Sequence, residues 1–388
     1  MKVLHVLSSC SGGAANAAIT LHNGLIEAGV NSHIITLFKT DQKIKNLHFF
    51  LDTISLFQRL KYSIVYRVRN KRKNFTSYPF SNPFSIYDIC KSQIFKDADI
   101  INLHWVSGFV DFESFLLDTQ KPVVWTMHDE YCYLGGHHYE FYKQYESTLG
   151  KKIDTKYYKL KRKIFSKCRK IHFISPSRWL YEKASQSVLL SMHVHHHIPY
   201  GIDTNTFNAD RIRNKKNLTV LVIASDLKDS RKGFADALEI IKKESFSQIK
   251  FLILGTSEIS IQKANIHFIG YVHDKSQLAS YYSESDLMLL TSHADNLPNT
   301  ALESIANGTP ILAYNIGGMP DIIDHQKNGF LVNSLEEMIE QLEVLAESIK
   351  ELKEMRIEAR KKSLIFSNKN QVEKYLDLYK SLQLSSTT

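Results

Sequence analysis

Short apolar runs recur along this chain, each followed by a segment of helical periodicity, and that alternation restricts the fold more than anything else in the sequence. Lys2 to Leu7, Asn31 to Leu37, Ile100 to Leu103, Val123 to Met127, Ile171 to Ser175 and Val194 to Ile198 read as strands, and a second series follows at Leu218 to Ala224, Lys250 to Gly255, Ile266 to Ile269, Leu287 to Leu290 and Pro310 to Tyr314. Continuous apolar strands separated by helices are buried on both faces, which is the mark of doubly wound parallel sheets. A helix is expected from about Ala17 to Ala28, closed by Gly29. A chain of 388 residues is also longer than one core usually supports. The stretch His197 to Thr204, HIPYGIDT, is punctuated by Pro and Gly and lies between the two series, so it marks the expected passage between two domains, 1–199 and 200–367. Thr40 to Pro83 is the least readable segment and is expected to hold helical insertions.

The residues suited to chemistry fall at the ends of these strands. His293 to Pro320 reads HADNLPNTALESIANGTPILAYNIGGMP and sets Asp295 and Glu303 on either side of a turn and a helix start. Backbone amides of Asn296, Leu297, Pro298's neighbours Asn299 and Thr300, and the positive helix end attract phosphate, while the two carboxylates accept hydrogen bonds from sugar hydroxyls. Gly308-Thr309-Pro310 stops the helix, and Gly317-Gly318-Met319-Pro320 makes a second phosphate-friendly loop. Asp226 to Phe234 follows a strand with Lys228, Arg231 and Lys232, placing cations at the carboxyl edge of a parallel sheet, where such folds bind nucleotides. Ser11-Gly12-Gly13-Ala14-Ala15 turns from the first strand into the first helix. His128-Asp129 and His104-Trp105 each close a strand.

The order of an acid, seven residues, Glu303, a small-residue helix, Gly-Thr-Pro, a strand and Gly-Gly-x-Pro-Asp resembles the signature of the GT4-type retaining glycosyltransferases. The resemblance covers most of the chain. It implies an α/β protein of GT-B fold, two Rossmann-like parallel domains facing across a cleft, the first binding the acceptor and the second the nucleotide sugar. It also implies that the last helix, 368–388, with Val372, Tyr375, Leu376, Tyr379 and Leu382 at helical spacing, packs back on the first domain. The implied activity is transfer of a hexose from a nucleoside diphosphate sugar to a hydroxyl of a glycan or lipid-linked acceptor, with retention, in surface polysaccharide synthesis. By the same resemblance Asp295 contacts the donor sugar, Glu303 the ribose, and Lys232 with Arg231 or Lys228 the diphosphate. Gly12, Gly13 and Asn296, Leu297, Pro298, Asn299 and Thr300 line the donor site. His128 approaches the sugar's primary hydroxyl region, and His104, Trp105 and Asp129 serve the acceptor. No cofactor and no essential metal are expected. Two departures stand out: the first acid is Asp295 where the family usually has Glu, and Leu227 stands where its phosphate-binding Arg usually lies.

The formal net charge of +9 is concentrated in Lys61 to Lys73 and Lys151 to Lys170. Two readings stay open for these runs, an anionic membrane surface and solvated helix faces. No recognition motif accompanies the charge, so nucleic acid is not expected as a partner. Cys10, Cys90, Cys132 and Cys168 are widely spaced and read as free thiols. Neither a signal-peptide core nor a spanning run is seen, and the expectation is a cytoplasmic protein, peripheral at the inner face of the membrane only under the first of these two readings. Asp97-Ala98-Asp99 has a metal-binding form but precedes its strand, His193, His195, His196 and His197 alternate faces, and Ser177 lacks a nucleophile elbow. A nucleotide-sugar epimerase of the same architecture and a non-catalytic basic binding protein are the competing functions.

Overall fold

The structure is a computed structural model that describes residues 1–59, 62, 78–208, 217–256, 261 and 263–387. The basic run Lys61 to Lys73 lies outside these residues apart from Tyr62. By internal contacts the chain divides into two compact units, Met1–Pro199 with Gln371–Thr388, and Tyr200–Asn370.

The first unit is built on strands β1 (Lys2–Leu7), β2 (Asn31–Thr36), β3 (Leu47–Phe49), β4 (Ile100–Leu103), β5 (Val123–Thr126), β6 (His172–Ser175) and β7 (Val194–His197). They form one parallel sheet in the order β3-β2-β1-β4-β5-β6-β7. The order reverses between β1 and β4, so their carboxyl ends bound the crevice in which open α/β sheets take ligands. Val3, Leu4, Val6 and Leu7 are wholly buried because both faces of β1 are covered. One face joins a core with Phe112, Trp125 and Phe173. On the other, Val372, Tyr375, Leu378, Tyr379 and Leu382 of the helix Asn368–Thr387 pack on Val3, Ile100, Val124 and Ile174. Each such side chain contributes roughly 1.5–3 kcal/mol by leaving water. The two tyrosines also tie their hydroxyls to the sheet, Asn102 donating to Tyr379 at 2.8 Å and Thr126 pairing with Tyr375 at 2.8 Å.

The second unit carries β8 (Thr219–Asp226), β9 (Lys250–Thr256), β10 (Ile266–Gly270), β11 (Leu287–Leu290), β12 (Ile311–Tyr314) and β13 (Gly329–Val332). This sheet is parallel as well, in the order β10-β9-β8-β11-β12-β13, with its reversal between β8 and β11. Val220, Leu287, Leu289 and Leu312 are at most 1% exposed in its core.

Three features depart from the sequence reading. The first helix spans Gly13–Glu27 and so begins at Gly13 rather than near Ala17. Gly12, at φ 88°, turns the chain sharply enough for the Ala-rich segment to coil at once. Strands β3 and β13 are additional, and the described part of Thr40 to Pro83 holds β3, the 3₁₀ turn Phe50–Asp52 and one helical turn at 56–59. The run Lys151 to Lys170 is not a uniformly solvated surface either. Within the helix Thr148–Phe165, capped by Ser147, Lys161 is fully buried and its ammonium donates to the carbonyls of Tyr131 at 2.6 Å and Leu134 at 3.1 Å. Burial holds that amine down to about 7. Lys152, Lys156, Lys159 and Lys163 remain exposed along one helical face.

Candidate active site

The turn after β8 brings cations onto the acid that follows β11. Leu227 goes into the core at 6% exposure, which explains why no cation stands at that position. Asp229 then accepts from the Arg231 backbone amide at 3.0 Å and from its guanidinium at 3.2 Å, folding the turn so that Arg231 and Lys232 point back toward β11. Lys232 Nζ lies 2.5 Å from Asp295 Oδ2, and Arg231 Nη1 lies 3.4 Å from the same oxygen and donates to the Ala294 carbonyl at 2.7 Å. Burial alone would raise the Asp295 carboxyl, but the charges of Lys232 and Arg231 outweigh it and hold the group below the ordinary carboxylate value. Lys228 is exposed on the outside of the turn.

Two glycines make this close approach possible. Gly233 follows Lys232 at φ 63°, and a Cβ there would sit 1.8 Å from the Thr291 carbonyl oxygen. Gly317, after β12, has φ 52°, and its Cβ would sit 1.7 Å from the Asp295 carbonyl oxygen. Bare backbone at both positions lets three strand-end loops close on Asp295.

Glu303 belongs to the helix Asn299–Ala306, which starts after Pro298 with no side-chain cap. Asn296, Leu297 and Pro298 are buried, so Leu297 offers a ligand its backbone and not its side chain. Asp295 and Glu303 have separate partners: Glu303 Oε2 accepts from the Tyr282 hydroxyl at 2.9 Å. Tyr282 is itself wholly buried, its carbonyl accepting from the Thr309 hydroxyl at 2.7 Å. Burial raises the Glu303 carboxyl to about 7, against the opposing pull of the Tyr282 hydrogen bond and the Lys275 charge.

In the first unit His104, Trp105, His128 and Asp129, singled out in the sequence, line one pocket at the carboxyl ends of β4 and β5 together with Ser107 and His138. His128 Nε2 lies 3.0 Å from His104 Nδ1, and His104 Nε2 lies 3.0 Å from His5 Nδ1. Both ring nitrogens of His104 are therefore engaged, and its side chain supports His128 instead of standing open as an acceptor platform. Burial pushes the His128 imidazole down to about 4, with Asp129 opposing, and pushes His104 and His5 well below the ordinary value. Asp129 is likewise committed: its oxygens accept from the Tyr131 amide at 2.9 Å and from His138 Nδ1 at 2.7 Å. Trp105 stacks on His138 at 4.2 Å between ring centroids. Gly12 and Gly13 stand at the start of the helix after β1.

The residues set aside in the sequence have ordinary partners. Asp99 accepts from the Lys2 amide at 2.7 Å, and Asp97 pairs with the Lys2 ammonium at 3.4 Å. His193, His195 and His196 bond to Ile171, Leu190 and His172 respectively, so they do not converge. Ser177 caps the helix Arg178–Gln186. Among the described residues, His137, Glu146 and Asp154 have ligand atoms close enough to share an ion; His137 Nε2 lies 2.9 Å from Glu146 Oε1, Asp154 Oδ1 accepts from the Gly136 amide at 2.6 Å, and His137 Nδ1 is buried without a hydrogen-bond partner.

Residues 11–206 match the family described as Glycosyltransferase Family 4, and residues 203–362 match Glycosyl transferases group 1. The chain belongs to glycosyltransferase family 4. This glycosyltransferase has the GT-B fold of sucrose-phosphate synthase from Thermosynechococcus elongatus, with TM-score 0.70 and 16% identity over 99% of this chain and 100% of that one. Anabaena HepE, solved in complex with UDP-glucose, matches at TM-score 0.66 and 14% identity over 98% and 100% of the two chains. Among curated proteins, the O-antigen biosynthesis glycosyltransferase WbnH of Escherichia coli is 32% identical over 153 residues, 39% of this chain and 37% of that protein. The alignments cover 30% and 51% of the length of the first two curated relatives.

Several neighbours of the candidate residues in each unit were not singled out by the glycosyltransferase's sequence. Tyr282 holds Glu303, Asp229 holds Arg231, and His138 joins Asp129 to Trp105. Helical spacing with Leu278 and Ala279 does place Tyr282 on a buried face, but not its hydroxyl on Glu303. His5 is a lone imidazole between the apolar pairs Val3-Leu4 and Val6-Leu7, and that was the available signal for its place beneath His104.

Proposed function

We propose that the protein transfers a hexose from a nucleoside diphosphate sugar to a hydroxyl of a glycan or lipid-linked acceptor, with retention of configuration, in the synthesis of a surface polysaccharide. The observation that carries this reading is the gathering of Lys232 and Arg231 on Asp295 at the carboxyl edge of β8 and β11. A diphosphate bound there competes with Asp295 for both cations. As the bond to the sugar breaks, charge grows on the departing phosphate, and preorganised cations stabilise it more in the transition state than in the ground state. Asp295, released from its partners, then accepts from a sugar hydroxyl, and Glu303 from the ribose. The second unit holds the donor, with Gly317 beside Asp295, and the first binds the acceptor. UDP-glucose bound to HepE and the O-antigen role named for WbnH support the donor class and the pathway class.

Lys232 and Arg231 meet the phosphate charge without a metal, so transfer is expected to survive EDTA. The exposed lysines of the helix Thr148–Phe165 are proposed to hold the protein on an anionic inner membrane face. The test is incubation with a panel of nucleoside diphosphate hexoses, with and without a hydroxyl acceptor. Acceptor-dependent release of nucleoside diphosphate and an α- or β-glycoside matching the donor's configuration support the reading. An epimerised donor formed without acceptor would favour an epimerase instead, and no turnover of any donor would favour a binding protein.

A further inference from the structure

Transfer to a hydroxyl releases a proton, and nothing in the chemistry above takes it up. In the first unit four side chains from separate segments form one hydrogen-bonded line. Asp129 Oδ2 lies 2.7 Å from His138 Nδ1, His138 Nε2 lies 2.7 Å from Ser81 Oγ, and Ser107 Oγ donates to Ser81 Oγ at 2.6 Å. Ser107, His138 and Asp129 line the pocket at the ends of β4 and β5, while Ser81 is buried and joins the first two. An acid, an imidazole and a hydroxyl in that order and at that spacing are the means by which a histidine, oriented by a carboxylate, draws a proton from a serine.

The direction of the line follows from its two ends. A carboxylate only accepts, so His138 Nδ1 carries the ring proton and Nε2 presents a lone pair. Ser107 donates to Ser81, so the hydrogen of Ser81 goes to that lone pair. Ser107 has then given away its one hydrogen and keeps oxygen lone pairs for an incoming donor. The Ser8 hydroxyl bonds the Ser107 carbonyl at 2.7 Å and not its side chain, and among the described residues nothing donates to the Ser107 hydroxyl oxygen. The far end is built to hold a positive charge. The other oxygen of Asp129 is fixed by the Tyr131 amide at 2.9 Å, and the His138 ring stacks on Trp105 at 4.2 Å and on Tyr131 at 4.9 Å between centroids. An imidazolium gains from aromatic faces and from a carboxylate in contact. The Lys161 ammonium, 3.3 Å from the Tyr131 ring centre, works against that charge, and Asp129 in direct contact with the imidazole outweighs it.

We propose that Ser107 is the catalytic residue that takes the acceptor's proton, at the head of a relay running through Ser81 to His138, with Asp129 as its positioning acid. This rests on the transfer proposed above. The acceptor oxygen forms its bond to the anomeric carbon, and the bond from that carbon to the diphosphate breaks with its electron pair leaving on the diphosphate. The acceptor proton passes to Ser107 Oγ as the Ser107 proton moves to Ser81 and the Ser81 proton to His138 Nε2. His138 is left as an imidazolium beside Asp129. Once the product has gone, the proton returns along the same line to water at the pocket. Ser107 was not singled out by residue type, because a serine becomes a base only through what stands behind it.

The test is single-turnover transfer by the full-length protein, from the nucleoside diphosphate hexose it uses to a soluble hydroxyl acceptor, in mixtures of H2O and D2O. Protons moving together along the relay should make the wild-type rate fall with deuterium content along a curve bowed below a straight line. Ser107→Ala and His138→Gln are expected to lower that rate by about 10²-fold or more, the scale of general base catalysis, with the donor-induced thermal shift unchanged. Ser81→Ala cuts the relay in the middle and should lower the rate and straighten the curve, and Ser81→Thr, which restores a hydroxyl, should bring the bow back. A straight line for the wild type, the result of passing one proton directly to the departing phosphate, would overturn the relay, as would the absence of any isotope dependence. So would a folded Ser81→Ala protein with the wild-type rate and curve. Where Ser81→Ala does not fold, the wild-type curve decides. Absence of transfer by the wild type would remove the proposed function and the relay with it, whereas transfer along a straight line would remove the relay alone.

Discussion

Glu303 changes charge in the range where most assays are run, because burial has lifted its carboxyl from 4.5 to about 7. The folded protein therefore holds this proton more tightly than the unfolded chain does. That contribution to stability is complete below about 4.5 and is lost as the pH rises through about 7. Ribose hydroxyls donate to the charged form, so affinity for a nucleoside diphosphate sugar should strengthen as the pH rises through the same window. Glu303→Gln is expected to flatten both profiles, and calorimetric titration across the window, with thermal melts alongside, checks it. Lys232 plays a different part. If it meets charge developing on the leaving diphosphate, Lys232→Ala should lower kcat by roughly 10² or more, the scale seen on removing preorganised electrostatic groups. Steady-state kinetics giving a change in KM alone would remove it from that role. At this scale the sequence marks Asp295, Glu303 and Lys232 by residue type and spacing, and the structure shows which neighbours each has. It was silent where a neighbour from another element sets the environment: nothing local in Tyr281-Tyr282 says that the second hydroxyl reaches Glu303, or that Lys161, in a run of surface lysines, turns inward to two carbonyls.

Gly317 shows how an element boundary rather than a side chain can shape the site. The loop after β12 passes so close to Asp295 that a single added carbon would overlap its carbonyl oxygen. Gly317→Ala is expected to lower stability by more than about 1 kcal/mol, since a positive φ and a clash act together. It should also weaken nucleotide-sugar binding by displacing Asp295. A thermal melt and a binding isotherm on the same sample test both effects, and an unchanged melting temperature would contradict the close approach. Element by element, an apolar strand such as Leu287–Leu290 could be read directly, because burial on both faces leaves no room for polar residues. The edge strand Leu47–Phe49 is half-buried and only three residues long, and Gly329–Val332 begins with a glycine, so neither stands out from its flanks. The early start of the Gly13–Glu27 helix was hidden by the two glycines, which read as loop although Gly12 alone supplies the turn.

For the whole molecule, the repeated pattern of strand and helix was enough to give two doubly wound sheets, since right-handed parallel crossovers leave few other arrangements. What it could not give is what the surface does. If the exposed Lys152, Lys156, Lys159 and Lys163 face an anionic bilayer as proposed, each would contribute about 1 kcal/mol there. Replacing these four by Gln should weaken sedimentation with anionic vesicles, with a salt dependence lost in the variant, while transfer to a soluble acceptor is unchanged. Equal binding of both proteins to neutral and anionic vesicles would return the helix to a solvated face. The central claim, that the loops after β8, β11 and β12 form a nucleoside diphosphate sugar site, is tested most directly by thermal shift across a panel of such sugars with wild type and Lys232→Ala. Bound ligand stabilises a fold by RT ln(1 + [L]/Kd), so at a concentration a hundredfold above Kd the wild type should gain about 2.7 kcal/mol with its own donor. Lys232→Ala should gain much less at the same concentration. A wild-type melting temperature that no nucleoside diphosphate sugar raises, or an equal rise in the variant, would contradict the account.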